Sequence, residues 1–255
     1  MKTLEQLQFD NTYVALPEEF YSPVNTTPLA NQHLISFNQQ AADLVELHPD
    51  EVVRADFVDI ISGKTQLPGY ETLAMCYSGH QFGHYVPRLG DGRAILLGQV
   101  KTESGEQWDL QLKGAGPTPY SRGSDGRAVL RSTIREYLCS EAMHGLGIPT
   151  TRALCMIGSE TEVYREKIEF GAMLLRMAPS HVRFGSFEYF YYTQQYDKLK
   201  GLADYVIEQH YVELTGTDNP YLGLLKQVIK TTAELIAKWQ SVGFAHGVMN
   251  TDNMS

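Results

Sequence analysis

The run His246-Gly-Val-Met-Asn-Thr-Asp-Asn253 places an asparagine seven residues after a histidine, with a carboxylate, Asp252, directly before it. Upstream, Leu225, Val228, Ile229, Thr232, Leu235, Ile236, Trp239 and Val242 keep the three-and-four spacing of one apolar helix stripe. That spacing predicts a helix over Leu222 to Val242, ended by Gly243, so the run is a polar loop delivered by a long helix. A further helix is expected over Leu199 to Tyr211.

Strands come before these helices. Gly90-Asp91-Gly92-Arg93 leads into Ala94 to Val100, Glu103-Ser104-Gly105-Glu106 reads as a turn, and Gln107 to Lys113 follows, which together predict a β-hairpin. In the second strand Trp108, Leu110 and Leu112 alternate with Asp109, Gln111 and Lys113, so Lys113 belongs to the face opposite the apolar one. A loop rich in Gly and Ser, Gly114 to Gly126, then opens a helix over Arg127 to His144. Leu130, Ile134, Leu138 and Ala142 form its expected buried stripe, and Glu136 lies off that stripe. Thr151 to Ile157, Thr161 to Arg165 and Phe170 to Met177 bring the expected strand count to five.

The first 88 residues are read as an extension. Pro17, Pro23 and Pro28 imply an extended arm, because proline fixes φ and removes a backbone donor. Ser36 with Gln39 resembles a capping box opening a helix to Leu47, and a second helix is expected over Asp50 to Ser62. The expected organisation is an extension over 1–88, a strand-rich lobe over 89–178 and the start of a helical lobe over 179–255.

A glycine turn between strands, a strand lysine, a helix glutamate, then helices and a His-to-Asn loop is the order of elements in a protein kinase. The fold class expected is therefore α+β and protein-kinase-like, with a five-stranded N-lobe sheet and one key helix. Lys113 lies 21 residues after Gly92, and Glu136 lies 23 after Lys113. Those intervals suit a phosphate-covering loop, a strand lysine and the glutamate that positions it. In the kinase pattern His-Arg-Asp-x-x-x-x-Asn the metal-binding asparagine falls where Asn253 stands, but the catalytic aspartate position holds Val248, which accepts no proton. A carboxylate does stand at Asp252, directly before Asn253, placed to act as base or to arrange metal-bound water. Taken alone, Asp252 and Asn253 read as a turn cap, and only the ordered set of elements favours a site.

Long words of sequence carry a more specific likeness: Tyr77-Ser-Gly-His-Gln-Phe-Gly83, Leu89-Gly-Asp-Gly-Arg93, Leu112-Lys-Gly-Ala-Gly-Pro-Thr-Pro-Tyr-Ser-Arg122, Asp125-Gly-Arg127 and His246 to Ser255. In these the chain resembles the selenoprotein O family, the YdiU-like protein adenylyltransferases, a kinase-fold group long described as pseudokinases. The resemblance implies ATP bound end for end relative to a kinase, with its α-phosphorus at the catalytic loop and AMP as the group transferred to Ser, Thr or Tyr hydroxyls of proteins. By motif match it assigns Gly90, Gly92, Arg93, Lys113, Asp125, Gly126, Arg176 and Arg183 to the nucleotide, Asn253 to Mg²⁺ or Mn²⁺, and Asp252 to the acceptor proton. Glu136 then holds Lys113. UMP transfer from UTP stays open beside ATP, as does a non-catalytic nucleotide-binding scaffold. The family pattern also continues past Ser255, so an incomplete, weakly active catalytic domain is expected.

Net charge excludes one class of partner. With 21 Lys plus Arg against 30 Asp plus Glu, the 255-residue chain carries −9, whereas a nucleic-acid binder needs a basic face. No run approaches the roughly 20 apolar residues of a membrane span, and no leader is legible near Met1. Expected partners are ATP and protein acceptors, without nucleic acid or membrane, in the cytoplasm. Three cysteines at unrelated spacings suit a reducing compartment, with Cys139 and Cys155 expected as small buried hydrophobes. His80 and His84 are expected to be structural rather than zinc ligands, and the aromatic run Phe184 to Tyr192 to be packing between lobes.

Overall fold

Proline and glycine punctuate the first 88 residues into short extended pieces, and these pieces join the sheet rather than lie over it. The structure is a computed structural model describing all residues, Met1–Ser255. The extension supplies β1 (Tyr21–Pro23), β2 (His33–Phe37), α1 (Gln39–Leu44), α2 (Phe57–Ile61), β3 (Leu73–Met75) and a separate hairpin of β4 (Gly79–Gln81) and β5 (His84–Val86). Then come β6 (Ala94–Lys101), β7 (Gln107–Lys113), β8 (Ala128–Val129), α3 (Leu130–Gly145), β9 (Arg152–Tyr164) and β10 (Ile168–Ala178). Three helices follow: α4 (Phe184–Tyr192), α5 (Tyr196–His210) and α6 (Pro220–Ser241). No helix is long and apolar enough to cross a membrane.

The architecture is α+β, but the expected five-stranded sheet is corrected to eight strands. Their order is β1-β3-β6-β7-β10-β9-β2, with β8 also on β10, and every pair is antiparallel. Three effects change the count. The extension adds β1, β2 and β3, the start of the segment expected as helix from Arg127 forms β8, and the strands expected over Thr151 to Ile157 and Thr161 to Arg165 are one strand, β9. Gly158 does not turn the chain there; it lets β2 approach, since a Cβ on it would stand 2.5 Å from the end of the Ile35 side chain.

The other local expectations shift by packing. Asn38, not Ser36, caps α1, its side chain accepting from the Ala41 amide. The helix expected over Asp50 to Ser62 divides into a 3₁₀ turn, Pro49–Val53, and α2. In α3 the buried face is Thr133, Ser140 and Met143, while Ile134 and Leu138 of the expected stripe are exposed. Glu136 has to reach Lys113 on the sheet, and turning it inward rotates Ile134 and Leu138 outward. Cys139 is carried outward with them, so it is exposed rather than buried; Cys155 is buried.

One face of the sheet, with Ile95, Leu97, Leu110, Leu112, Leu154, Met173 and Leu175, packs against Leu4, Val45, Phe57, Ile60 and Ile61 from the extension. A second core joins Tyr13, Phe20 and Leu96 to Phe190, Leu202 and Tyr205. Phe190 is fully buried with its ring 4.3 Å from Phe20, and burial of such a side chain contributes about 1.5–3 kcal/mol. That contact fixes the aromatic helix α4 against the extension.

The polar face of β7 is buried too. Asp109 accepts from Gln99 Nε2 at 2.7 Å and from both the backbone amide and Nδ1 of His181, at 2.8 and 3.1 Å. The neutral His181 ring carries its proton on Nδ1, and its Nε2 is buried without a partner. A second ring proton would have nothing to bond, and burial pushes the His181 pKa down despite Asp109. The unfolded chain therefore binds this proton first as pH falls below about 6.5, and stability is lost progressively from there toward the lowered folded value. Urea unfolding between pH 8 and 5 is expected to show this acid slope, at most about 1.4 kcal/mol per pH unit from this group. The His181→Asn variant, which keeps a donor to Asp109, is expected to flatten it; an unchanged slope would refute the assignment.

Candidate functional site

A polar cavity of about 230 Å³ gathers the glycine turn, the end of β7, β10 and the terminal loop. Its lining includes Gly90, Gly92, Arg93, Lys113, Arg176, Arg183, Asp252 and Asn253, residues spread over 163 positions of the chain. A larger cavity of about 1180 Å³ lies between the β6–β7 hairpin and α5 and α6. It is mainly apolar and contains none of the expected site residues, most of which gather instead around the smaller one.

At the floor of the site the Lys113 ammonium and the Glu136 carboxylate form an ion pair. The register places Lys113 opposite Leu174, and Arg176, two residues on, donates from Nη1 to the other Glu136 oxygen at 3.1 Å. Burial by itself would raise the Glu136 carboxyl, but the Arg176 and Lys113 charges and hydrogen bonds outweigh it and hold the pKa at about 2. Burial and the neighbouring Arg176 push Lys113 down, against the pull of Glu136. One carboxylate thus anchors two cations, and the pair keeps an excess positive charge facing the cavity.

Asp91 fixes the glycine turn. Its buried carboxylate accepts from the Met75 amide, the Tyr77 hydroxyl and Gln111 Nε2, at 3.1, 3.1 and 3.2 Å. Gly90 has φ of +58°, and a Cβ there would meet the Tyr120 ring at 2.3 Å. Glycine is demanded at this position by the left-handed backbone and by the Tyr120 loop pressed against it.

Two anchors hold the terminal loop. At its start the His246 ring stacks on Trp239 at the end of α6, with centroids 5.2 Å apart. At its end the first amides of α4 donate into it: Phe184 N–H to the Met254 carbonyl and Gly185 N–H to the Thr251 carbonyl, both 2.9 Å. Helix N-termini leave such amides free, and here they position the loop. Thr251 also donates to Glu188 Oε2 at 2.7 Å. The aromatic run is therefore packing, as expected, and its helix end and Glu188 additionally position the loop. His80 lies in a hairpin rather than a helix, bonded to Glu188 at 3.0 Å.

The set has the character of a polyanion site. Arg93, Lys113, Arg122, Arg176 and Arg183 face it against Asp91 and Asp252. Arg176 Nε, Arg183 Nε and Asp252 Oδ1 are buried without hydrogen-bond partners, unused capacity that a buried polar group does not normally keep. The volume suits a phosphate chain and falls below the roughly 300–1,000 Å³ of sites that enclose a whole drug-sized ligand. No cluster of three or more His, Cys, Asp or Glu side chains able to hold a metal ion is present. Asp252 and Asn253 offer two oxygen-bearing groups, the small protein share typical of Mg²⁺ sites completed by substrate phosphates.

The model of the family described as Protein adenylyltransferase SelO matches residues 3–255. The chain belongs to the SelO family. Proteins named Protein nucleotidyltransferase YdiU from Myxococcus xanthus (strain DK1622) and Thioalkalivibrio sulfidiphilus (strain HL-EbGR7) are each 60% identical to it over 255 residues. The protein of the same name from Thiobacillus denitrificans (strain ATCC 25259 / T1) is 57% identical over the same length. All of this chain aligns, against 52% of each relative, so the chain spans about half the length of the curated relatives it matches.

Within this SelO-family chain two expected nucleotide residues stand apart from the cavity lining. Asp125 is paired with Arg165 at 2.8 Å and accepts from the Arg127 amide, and Gly126 has φ of +64° against the Gly116 carbonyl. Sequence reasoning gave no role to Tyr77, Gln81, Tyr120, Ser121, Arg122 or Ser124, all of which line the cavity. The words Tyr77 to Gly83 and Leu112 to Arg122 contain all but Ser124, and Gly79 inside the first was the available signal of a close backbone approach.

Proposed function

We propose that this SelO-family chain binds the triphosphate of ATP in the 230 Å³ cavity and transfers AMP to Ser, Thr or Tyr hydroxyls of proteins. The carrying observation is the meeting of the Lys113–Glu136–Arg176 cluster with Asp252 and Asn253 around one cavity. In this reading the nucleotide lies reversed relative to a kinase, with its β- and γ-phosphates toward Arg93, Lys113, Arg176 and Arg183 and its α-phosphorus near the terminal loop. Guanidinium forks match phosphate oxygens, and cations placed beforehand stabilise the charge that grows on the leaving pyrophosphate. Asp252 takes the proton of the acceptor hydroxyl as that oxygen bonds to the α-phosphorus and the bond to the bridging oxygen breaks, releasing pyrophosphate. Asn253, with Asp252 beside it, would hold Mg²⁺ or Mn²⁺, which when bound supplies charge neutralisation for the phosphates. Val248, half-exposed in the loop, has no group to serve a γ-phosphoryl transfer.

Incubation with a protein acceptor and ATP labelled at either the α or the γ position tests the reading. Label is expected on the acceptor from the α position alone. Label from γ alone would make the chain a kinase, label from α-labelled UTP in place of ATP a uridylyltransferase, and no label a nucleotide-binding scaffold; each outcome overturns adenylyl transfer.

A further inference from the structure

Asp252 has no hydrogen-bond donor from its own loop. Gln81 Nε2, at the end of β4 and 171 residues away in sequence, donates to Asp252 Oδ2 at 2.9 Å. The other oxygen, Oδ1, is buried with no partner. The carboxylate is therefore held at one point, and that point lies on the β4–β5 hairpin.

Three consecutive residues set this contact. Gly79 lets the hairpin backbone lie directly on the loop, since a Cβ there would come within 2.8 Å of both Cβ and Oδ1 of Asp252. His80 donates its amide to Thr251 Oγ1 at 3.0 Å, and its ring bonds Glu188, which also receives the Thr251 hydroxyl. These bonds lock the register of hairpin against loop. Gln81 then follows with its side chain on the carboxylate, and Phe82 and Gly83, both at positive φ, turn the chain back immediately after it. An amide is the right group there. It donates without competing for the proton, whereas Glu would place a second carboxylate against Asp252 and Leu would place no donor.

We propose that Gln81 is a positioning residue for Asp252: its amide orients the carboxylate toward the acceptor hydroxyl, so that the N-terminal hairpin sets the geometry of proton transfer. The inference rests on the adenylyl-transfer reading above. Groups that orient a reacting side chain are typically worth about 10- to 100-fold in activity, and Gln81→Leu is expected to lower kcat by that factor with KM for ATP within about two-fold. The deciding readout is a cycle with Asp252→Ala. If Gln81 acts through Asp252, Gln81→Leu causes no further loss in the Asp252→Ala background; an equal loss in both backgrounds, or an unchanged kcat in the single variant, overturns the proposal. A rise in KM at constant kcat overturns it as well. Should the native chain transfer no label, the reading above fails for this chain, and the contact is decided separately by NMR of the isotope-labelled glutamine side chains. Asp252→Ala then moves the Gln81 amide signals if the bond exists, and leaves them in place if the proposal is wrong.

Discussion

Asp252→Ala is expected to reduce transfer of the α-label by about a hundred- to ten-thousand-fold, the range usually lost with a general base. ATP affinity, measured by calorimetry, is expected to hold or to tighten, because the substitution removes a negative charge from the cavity proposed for the triphosphate. Asp252→Asn separates the two duties of the side chain. Its amide oxygen keeps an acceptor for Gln81, yet it takes no proton, so its transfer rate is expected to fall as far as that of alanine. Full transfer by either variant would remove Asp252 from the chemistry and leave the terminal loop a structural turn.

The second large effect is on stability. Glu136→Gln leaves Lys113 and Arg176 side by side in a largely buried setting with no counter-charge. A loss of about 2–3 kcal/mol in urea unfolding at pH 7 is expected from the broken charged hydrogen bonds and the repulsion that remains. The same variant is expected to recover much of this deficit when ATP is added, since phosphate oxygens replace the missing carboxylate. A deficit that ATP leaves unchanged would place the triphosphate elsewhere. The sign with pH is also fixed. The folded carboxyl is held at about 2, below its ordinary 4.5, so its contribution is complete above pH 4.5 and is lost as pH falls toward 2. Glu136→Gln is expected to lack that component of acid unfolding.

Elements whose pattern is local were legible. The hairpin strand expected over Gln107 to Lys113 is β7 residue for residue, and α6 differs from its expected span by two residues at the start and one at the end. Lys113 and Glu136, 23 residues apart, were paired by motif order and meet in an ion pair. Patterns that need a partner to interpret were misread. The α3 stripe failed because four-residue spacing alone does not say which face of a helix meets the sheet, and a glutamate bound to a lysine decided it. Gly158 fell in the gap between two expected strands because a glycine that ends a strand and one that admits a neighbouring strand look alike in sequence.

The order of residues by itself determined the family, the loop bearing Asp252 and Asn253, the polar face of β7 and the net charge of −9. Only the tertiary structure decided that the first 88 residues complete the sheet, that Asp125 and Gly126 stand outside the cavity lining, and that a glutamine near position 80 holds the carboxylate at position 252. Periodicity and motif spacing are short-range properties of the chain, encoded in each segment alone. Contacts across more than a hundred residues depend on which surfaces the packed core brings together, and no segment contains that information.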